Sequence, residues 1–265
     1  MSCPTGRTNC GSCRDLQTDA ENCGACGNIC GAGQLCRRGV CVSCPSGMTL
    51  IPADTFSMGD SRFSDATPHR VALAAFCMDN TEVTVAAYRT CSTCAAPLSG
   101  SACNWGASGR DLHPINCVNW NLARAYCQSI GRDLPTEAQW EYAARGTDGR
   151  SYPWGNAAPG SQLCWNRAPV PMTTCPVQSY PLGNSPFGLS DMEGNVVEWT
   201  LDWYGIIAAD PVSDPTGPSS GTTRAYRGAS FLDSDPNSAR AARRVWAPPG
   251  SNGYDNGFRC ASALP

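Results

Sequence analysis

The chain has 265 residues, with 19 basic and 22 acidic side chains and a formal net charge of −3. That balance gives no electrostatic reason to expect a nucleic-acid or anionic-membrane partner, and no apolar run approaches the roughly 20 residues of a membrane span. Eighteen cysteines beside 27 glycines and 21 prolines argue against a reduced cytosolic chain. They point to an oxidising setting, secreted, cell-surface or periplasmic, and to a loop-rich α+β fold held by cross-links. Met1 runs directly into Ser2-Cys3-Pro4, so no signal peptide is read and the expectation is a processed, exported chain.

Nine of the 18 cysteines fall within residues 1–44. This segment holds few apolar side chains beyond Leu16, Ile29, Leu35, Val40 and Val42, too few for a core, so it is read as a separate cysteine-rich module. The pairs Cys10/Cys13 and Cys23/Cys26 have the spacing of a zinc knuckle. The further cysteines at 30, 36, 41 and 44, the Gly-Asn turns and the lack of histidine favour a disulfide module instead. Its "TDAENCGACGNIC" stretch resembles cysteine-rich motifs of secreted bacterial surface proteins. Nine is odd, and Cys44 at the junction is the candidate to pair outside the module.

Sustained apolar content begins in "PSGMTLIPADTFSMGD", so residues 45–265 are read as the main domain. Alternation in "HRVALAAFCM" predicts one strand over about Arg70 to Met78, and a short helix follows from about Thr84 to Cys91. Asn119 and Gly131 bracket "WNLARAYCQSI" as caps of a second helix. A third helix is announced by Thr136 and Gln139, spaced as a capping box, and ended by Gly146, with Trp140, Ala143 and Ala144 on its buried face. Cys164 and Cys175 are read as a local pair. The connectivity of Cys77, Cys91, Cys94, Cys103 and Cys117 cannot be deduced.

The stretch "GLSDMEGNVVEWTLDW" carries the most chemistry. Asp191 and Glu198 stand seven residues apart, and Gly194-Asn195 between them permits a tight turn. Hard oxygen donors brought together in this way suit calcium.

Here a resemblance becomes specific. "IPADTFSMGD", "LPTEAQWEYAARG", "YPWG", "GLSDMEGNVVEWTLDWY", "RGAS" and "NGFRC", in that order over about 200 residues, resemble the formylglycine-generating enzyme (sulfatase-modifying factor) family. The resemblance implies a C-type-lectin-like fold, low in regular structure and stabilised by calcium. It would place the Asp191 side chain, the Gly194 and Val196 carbonyls and the Glu198 side chain on one ion. A second calcium site would begin at Asn166, although no acidic residue follows before Pro181. A Cys127 to Cys260 disulfide is also implied. Ala144 and about Arg240 occupy the two positions of another family disulfide, so both halves of that one are gone.

Family enzymes oxidise a sulfatase cysteine to formylglycine at copper(I) held by two thiolates, which a soft ion prefers. In "RGASFLDSDPNSARAARR", Asp233 stands at or beside the first of those positions and Asn237 or Ser238 near the second. Copper is therefore not expected. Ser230 matches a family active-site serine, and Ser230, Asp233, Asn237 and Trp246 are read as groove residues, within an aromatic context of Trp199, Trp203, Tyr204 and Phe231. Asp233 and Asp235 read as a turn and Arg259 as a satisfied core arginine. Arg240, Arg243 and Arg244 read as scaffold or rim, and His69 and His113 as structural residues. No residue is assigned a catalytic role. The expectation is a calcium-stabilised domain that binds a peptide, glycan or protein partner. The alternative is a divergent formylglycine-generating oxidase or another metal-dependent oxidase on the same fold.

Overall fold

A computed structural model describes residues 3–166, 173–206 and 211–264. The N-terminal module holds two small hairpins, β1 (Thr8–Asn9) with β2 (Cys13–Arg14) and β3 (Gln34–Arg37) with β4 (Val40–Ser43). Arg38 and Gly39 link β3 to β4 with φ of 50° and 77°, as a two-residue turn requires when it must match strand twist. Four disulfides replace a core: Cys3–Cys13, Cys10–Cys26, Cys23–Cys36 and Cys30–Cys41. The zinc-knuckle pairs are thus split among different partners. Cys44 leaves the module and pairs with Cys77.

Beyond it the strands are short: β5 (Met48–Ile51), β6 (Asp54–Met58), β7 (His69–Leu73) and β8 (Phe76–Asp79). The single strand predicted over Arg70 to Met78 is therefore two strands, and they lie in different sheets. Inward and outward residues alternate in β7, whereas β8 is buried on both faces. The chain breaks step at Ala74, whose N–H donates to Asp214 Oδ1 at 2.8 Å.

Three helices follow. The first, α1 (Val85–Arg89), is capped by the Thr84 hydroxyl, which accepts from Ala87 N; it stops before Cys91, which pairs with Cys94. Asn119 caps α2 (Trp120–Ser129) by accepting from Leu122 N. Its end is a Schellman turn: Gly131 takes φ of 74°, its N–H reaches Gln128 O, and Arg132 N reaches Cys127 O. In α3 (Glu137–Arg145) both bonds of the Thr136/Gln139 capping box are formed.

The remaining strands are β9 (Val197–Trp203), β10 (Val212–Ser213), β11 (Arg224–Arg227), β12 (Arg244–Ala247), β13 (Asn256–Gly257) and β14 (Ala261–Ala263). They complete three sheets in the orders β14-β8-β5, β10-β7-β6 and β12-β11-β9-β13. One core gathers Phe56, Val71, Phe76 and Met78 against Trp140, Tyr142 and Ala143 of α3. The other gathers Tyr88, Trp120, Tyr126, Trp199 and Phe258 around α1 and α2. Cys127–Cys260 lies in this second core and ties α2 to the segment entering β14. Cys103–Cys117 and Cys164–Cys175 complete the nine disulfides.

Candidate functional site

The loop entering β9 turns back on itself because Asp191, Gly194 and Asn195 all take left-handed φ, at 55°, 83° and 61°. A Cβ on Gly194 would stand 2.8 Å from the Cys164 carbonyl oxygen, so no larger residue fits without movement. Asn195 is fully buried. Its backbone N–H donates to Cys164 O at 2.7 Å, its side-chain oxygen accepts from Cys175 N at 2.9 Å, and its side-chain nitrogen donates to Glu82 Oε2 at 2.7 Å. Glu82 Oε1 also accepts from Val196 N at 3.1 Å. Glu82 is a functional-site residue that the sequence reading missed, since it lies more than a hundred residues before the loop it supports.

Arg259 sits under this loop with no exposure. It donates to Glu198 Oε1 and Oε2 at 2.7 Å each and to the carbonyls of Asp79, Ser190 and Asp191. Trp140 Nε1 also donates to Glu198 Oε2, at 2.8 Å. Glu198 thus pairs with the guanidinium, and the buried carboxylates of Glu82 and Asp191 lie close enough to feel its charge. Burial, and then the charges of Asp191 and Glu198, push the Glu82 carboxyl well above the usual range. Burial likewise pushes Asp191 up, against the pull of the Gln178 N–H and Arg259.

Calcium is the ion implied by the family resemblance, and the local chemistry fits a hard divalent cation in two respects. Fully ionised, the group carries two negative charges more than Arg259 compensates. In addition, Asp191 Oδ1 accepts no hydrogen bond among the described residues, because the Gln178 N–H goes to Oδ2. Glu198 would be shared between such an ion and Arg259. Asn166 lies elsewhere, in a left-handed conformation with its N–H on Asp233 O at 2.8 Å. Residues 167–172, which follow it, lie outside the described residues.

The "RGAS" loop crosses beside this one. Ser230 is completely buried, and both its N–H, at 2.8 Å, and its hydroxyl, at 3.0 Å, donate to Asp233 Oδ2. Arg243 approaches Asp233 Oδ1 at 3.8 Å. Asp255 faces the same place: burial pushes its carboxyl up, Asp233 adds to the rise, and a hydrogen bond with Ser230 opposes it. Beneath lies Glu193, another residue the sequence reading missed although it sits inside "DMEGN". Its Oε2 accepts from Ala229 N at 2.8 Å, its Oε1 has no hydrogen-bond partner among the described residues, and burial holds its carboxyl well above the ordinary range.

Ser230, Asp233, Asp255 and Glu193 therefore form one acidic, hydroxyl-bearing cluster with Arg243 at its edge. All 18 cysteines are in disulfides and none is free, so the cluster offers oxygen donors and no thiolate. The residues present do not fit a soft copper(I) ion.

The other groove candidates separate from it. Asn237 is exposed in a turn, its N–H bonded to Asp235 Oδ1 and its side chain to Arg240; Ser238 N closes the same turn on Asp235 O. Trp246 is half-exposed on β12, its ring 6.1 Å from that of Tyr204. Trp199 and Phe231 are buried in separate cores, and Trp203 stacks on Arg224, which lies between it and Trp120. Arg244 is scaffold: it grips both Glu137 oxygens, while Arg227 bonds Glu141 and Glu137, and Arg145 bonds Glu141. His113 bonds Thr174, with burial and then Arg110 pulling its pKa down to about 4. His69 Nδ1 meets Thr67 O.

Residues 39–264 match the family model described as "Sulfatase-modifying factor enzyme 1-like domain". The chain is 43% identical over 173 residues to the formylglycine-generating enzyme of Streptomyces coelicolor, covering 58% of this chain and 54% of that one. It is 38% identical over 164 residues to the protein of Bos taurus named "Inactive C-alpha-formylglycine-generating enzyme 2", covering 56% and 50%. The chain thus spans about half the length of these curated relatives. In fold it is similar to Treponema denticola variable protein 1, with a TM-score of 0.67, 24% identity and coverage of 82% of this chain and 94% of that one. The architecture is accordingly the C-type-lectin-like α+β fold.

Proposed function

The chain belongs to the sulfatase-modifying factor family, and from that premise we propose that it is a calcium-stabilised member that binds a peptide, glycan or protein partner and does not run the copper-dependent oxidation. The observation that carries this reading is the complete use of its cysteines: nine disulfides consume all 18. No thiolate is left to hold copper(I) at the "RGAS" loop, where Asp233 instead accepts two hydrogen bonds from Ser230. The existence of a relative named as inactive is consistent with a fold that outlasts its chemistry.

In this reading Asp191, Glu198 and the Gly194 and Val196 carbonyls hold calcium, which would supply charge neutralisation to the buried carboxylates and rigidity to the loop. The loop in turn backs the acidic cluster: Asn195 O accepts from Phe231 N at 2.9 Å, directly after Ser230. Asp233 and Arg243 at the cluster's edge present an acceptor and a donor to a polar partner. Nine disulfides favour an oxidising compartment outside the cytosol; among the described residues no helix is long and apolar enough to cross a membrane.

The identity to a named formylglycine-generating enzyme keeps an oxidase as the second reading. Copper(I) titration, together with mass spectrometry of a sulfatase-motif peptide incubated with the protein and oxygen, separates the two. The expected result is no tight copper binding and an unmodified peptide. Tight binding with an aldehyde product would overturn the proposal in favour of a divergent oxidase.

A further inference from the structure

A concavity opens away from the acidic cluster, where the N-terminus of α3 meets β7, β10 and the segment after β9. It encloses about 590 Å³, within the range of small-molecule sites. Met58, Ala138, Val212, Pro215 and Pro218 supply apolar lining, Asp202, Glu137, His69 and Arg244 its buried polar groups, and Ser213 and Thr216 exposed hydroxyls. None of the cluster residues Ser230, Asp233, Asp255 or Glu193 takes part.

The formal charges of Glu137 and Arg244 are already satisfied within the protein. Glu137 is held by Arg244 at 3.0 and 2.6 Å, and the remaining Arg244 nitrogen donates to the carbonyls of Asp65 and Gly205. A charged ligand would have to break into that pair, at the cost of leaving a buried ion uncompensated.

Among the buried side chains of the lining, two polar atoms are left over. Asp202 is 3% exposed; its Oδ2 accepts the first free N–H of α3, from Glu137 at 2.9 Å, and its Oδ1 accepts no hydrogen bond among the described residues. His69 is 5% exposed. Its Nδ1 meets the Thr67 carbonyl, which can only accept, so Nδ1 carries a proton, and Nε2 makes no hydrogen bond among the described residues. Neither atom is among the fully buried polar atoms that lack a partner, so both are open to the cavity that their residues line.

We propose that this cavity is a binding site for a small, uncharged, mainly apolar molecule bearing a carboxamide, whose polar end is read by Asp202 Oδ1 and His69 Nε2. A carboxamide offers the two complementary halves on adjacent atoms. Its carbonyl accepts from the Asp202 carboxyl and its N–H donates to His69 Nε2. Burial, and then the charge of Glu137, push the Asp202 pKa up to about 8, which leaves the carboxyl a donor at neutral pH. The apolar lining receives the rest of the ligand.

The test uses the full chain with its disulfides intact and two probes of one shape, indole-3-acetamide and indole-3-acetate. Titration followed by two-dimensional NMR should show saturable binding of the amide, with shifts at Val212, Gly217 and the α3 N-terminus, and binding of the carboxylate at least about tenfold weaker. Val212→Phe, which fills the cavity from β10, and His69→Phe, which removes the acceptor, should each weaken the amide by about tenfold or more. Thr216→Trp narrows the mouth from an exposed position and serves if either of those variants fails to fold. Absence of saturable amide binding, equal binding of both probes, or unchanged binding in the folded variants would overturn the proposal.

Discussion

Arg259 and Glu198 meet in a two-armed ion pair, 2.7 Å on each arm, with neither side chain reaching solvent. Glu198 is the second residue of β9 and Arg259 precedes β14, so one pair joins two sheets. Removing one member of such a pair leaves the other charge buried and uncompensated, which costs about 3–5 kcal/mol. We predict that loss for Glu198→Ala in denaturant unfolding, and a smaller one for Glu198→Gln, which can still accept from Arg259 and Trp140. A cost below about 1 kcal/mol would mean that the pair is solvated in the folded protein.

The excess of carboxylates around Arg259 makes stability sensitive to both pH and calcium. Glu82 and Asp191 have folded-state pKa values raised above the ordinary carboxylate range. Folding therefore favours their protonated forms, and that stability is lost as pH rises from the ordinary range through the folded values. Without calcium the melting temperature should fall as pH rises above the ordinary carboxylate range; with calcium bound the fall should flatten, because the cation favours the ionised forms. Asp191→Asn should abolish the response to calcium. Melting curves that are identical with and without chelator would refute the calcium reading.

Gly194 offers a sharper local test. Its φ of 83° and the 2.8 Å gap from a would-be Cβ to Cys164 O make Gly194→Ala strained twice over, by about 1–3 kcal/mol. Thermal unfolding measures this. Calcium affinity should fall with it, whereas an unchanged affinity would separate the turn from the ion.

The disulfides should differ widely in worth. Cys127–Cys260 spans 133 residues and Cys91–Cys94 only 3. In the chain-entropy model the long loop is worth about 5 kcal/mol and the short one about 2 kcal/mol. Replacing each pair with serine and comparing unfolding midpoints checks the order; equal losses would contradict the entropic account.

What the sequence made legible was local. Asn119 with Gly131, and Thr136 with Gln139, announce α2 and α3 because capping is decided within a few residues. The break between β7 and β8 was hidden, since alternation continues across Ala74 while the strands join different sheets. The burial of Glu137 and Glu141 in α3 was hidden for a related reason: their partners Arg227 and Arg244 lie 86 to 107 residues away along the chain. Asp191 and Glu198 could be paired by spacing alone, but Glu82, which closes over the same loop from the far side, gave no periodic sign. Ser230 and Asp233 were placed by motif, and the hydrogen bonds between them needed coordinates.

The first four disulfides overlap like roof tiles. Cys3–Cys13, Cys10–Cys26, Cys23–Cys36 and Cys30–Cys41 each begin before the previous one ends, so every peptide bond from Cys3 to Cys41 is bridged. A protease that cuts this stretch once releases no fragment. Shedding the module instead requires a cut between Cys41 and Cys44, where no cross-link spans the backbone, or a reductant. The appendage can therefore be nicked once anywhere from Cys3 to Cys41 and still stay attached, a durability that depends on the pattern of overlap more than on any single bond.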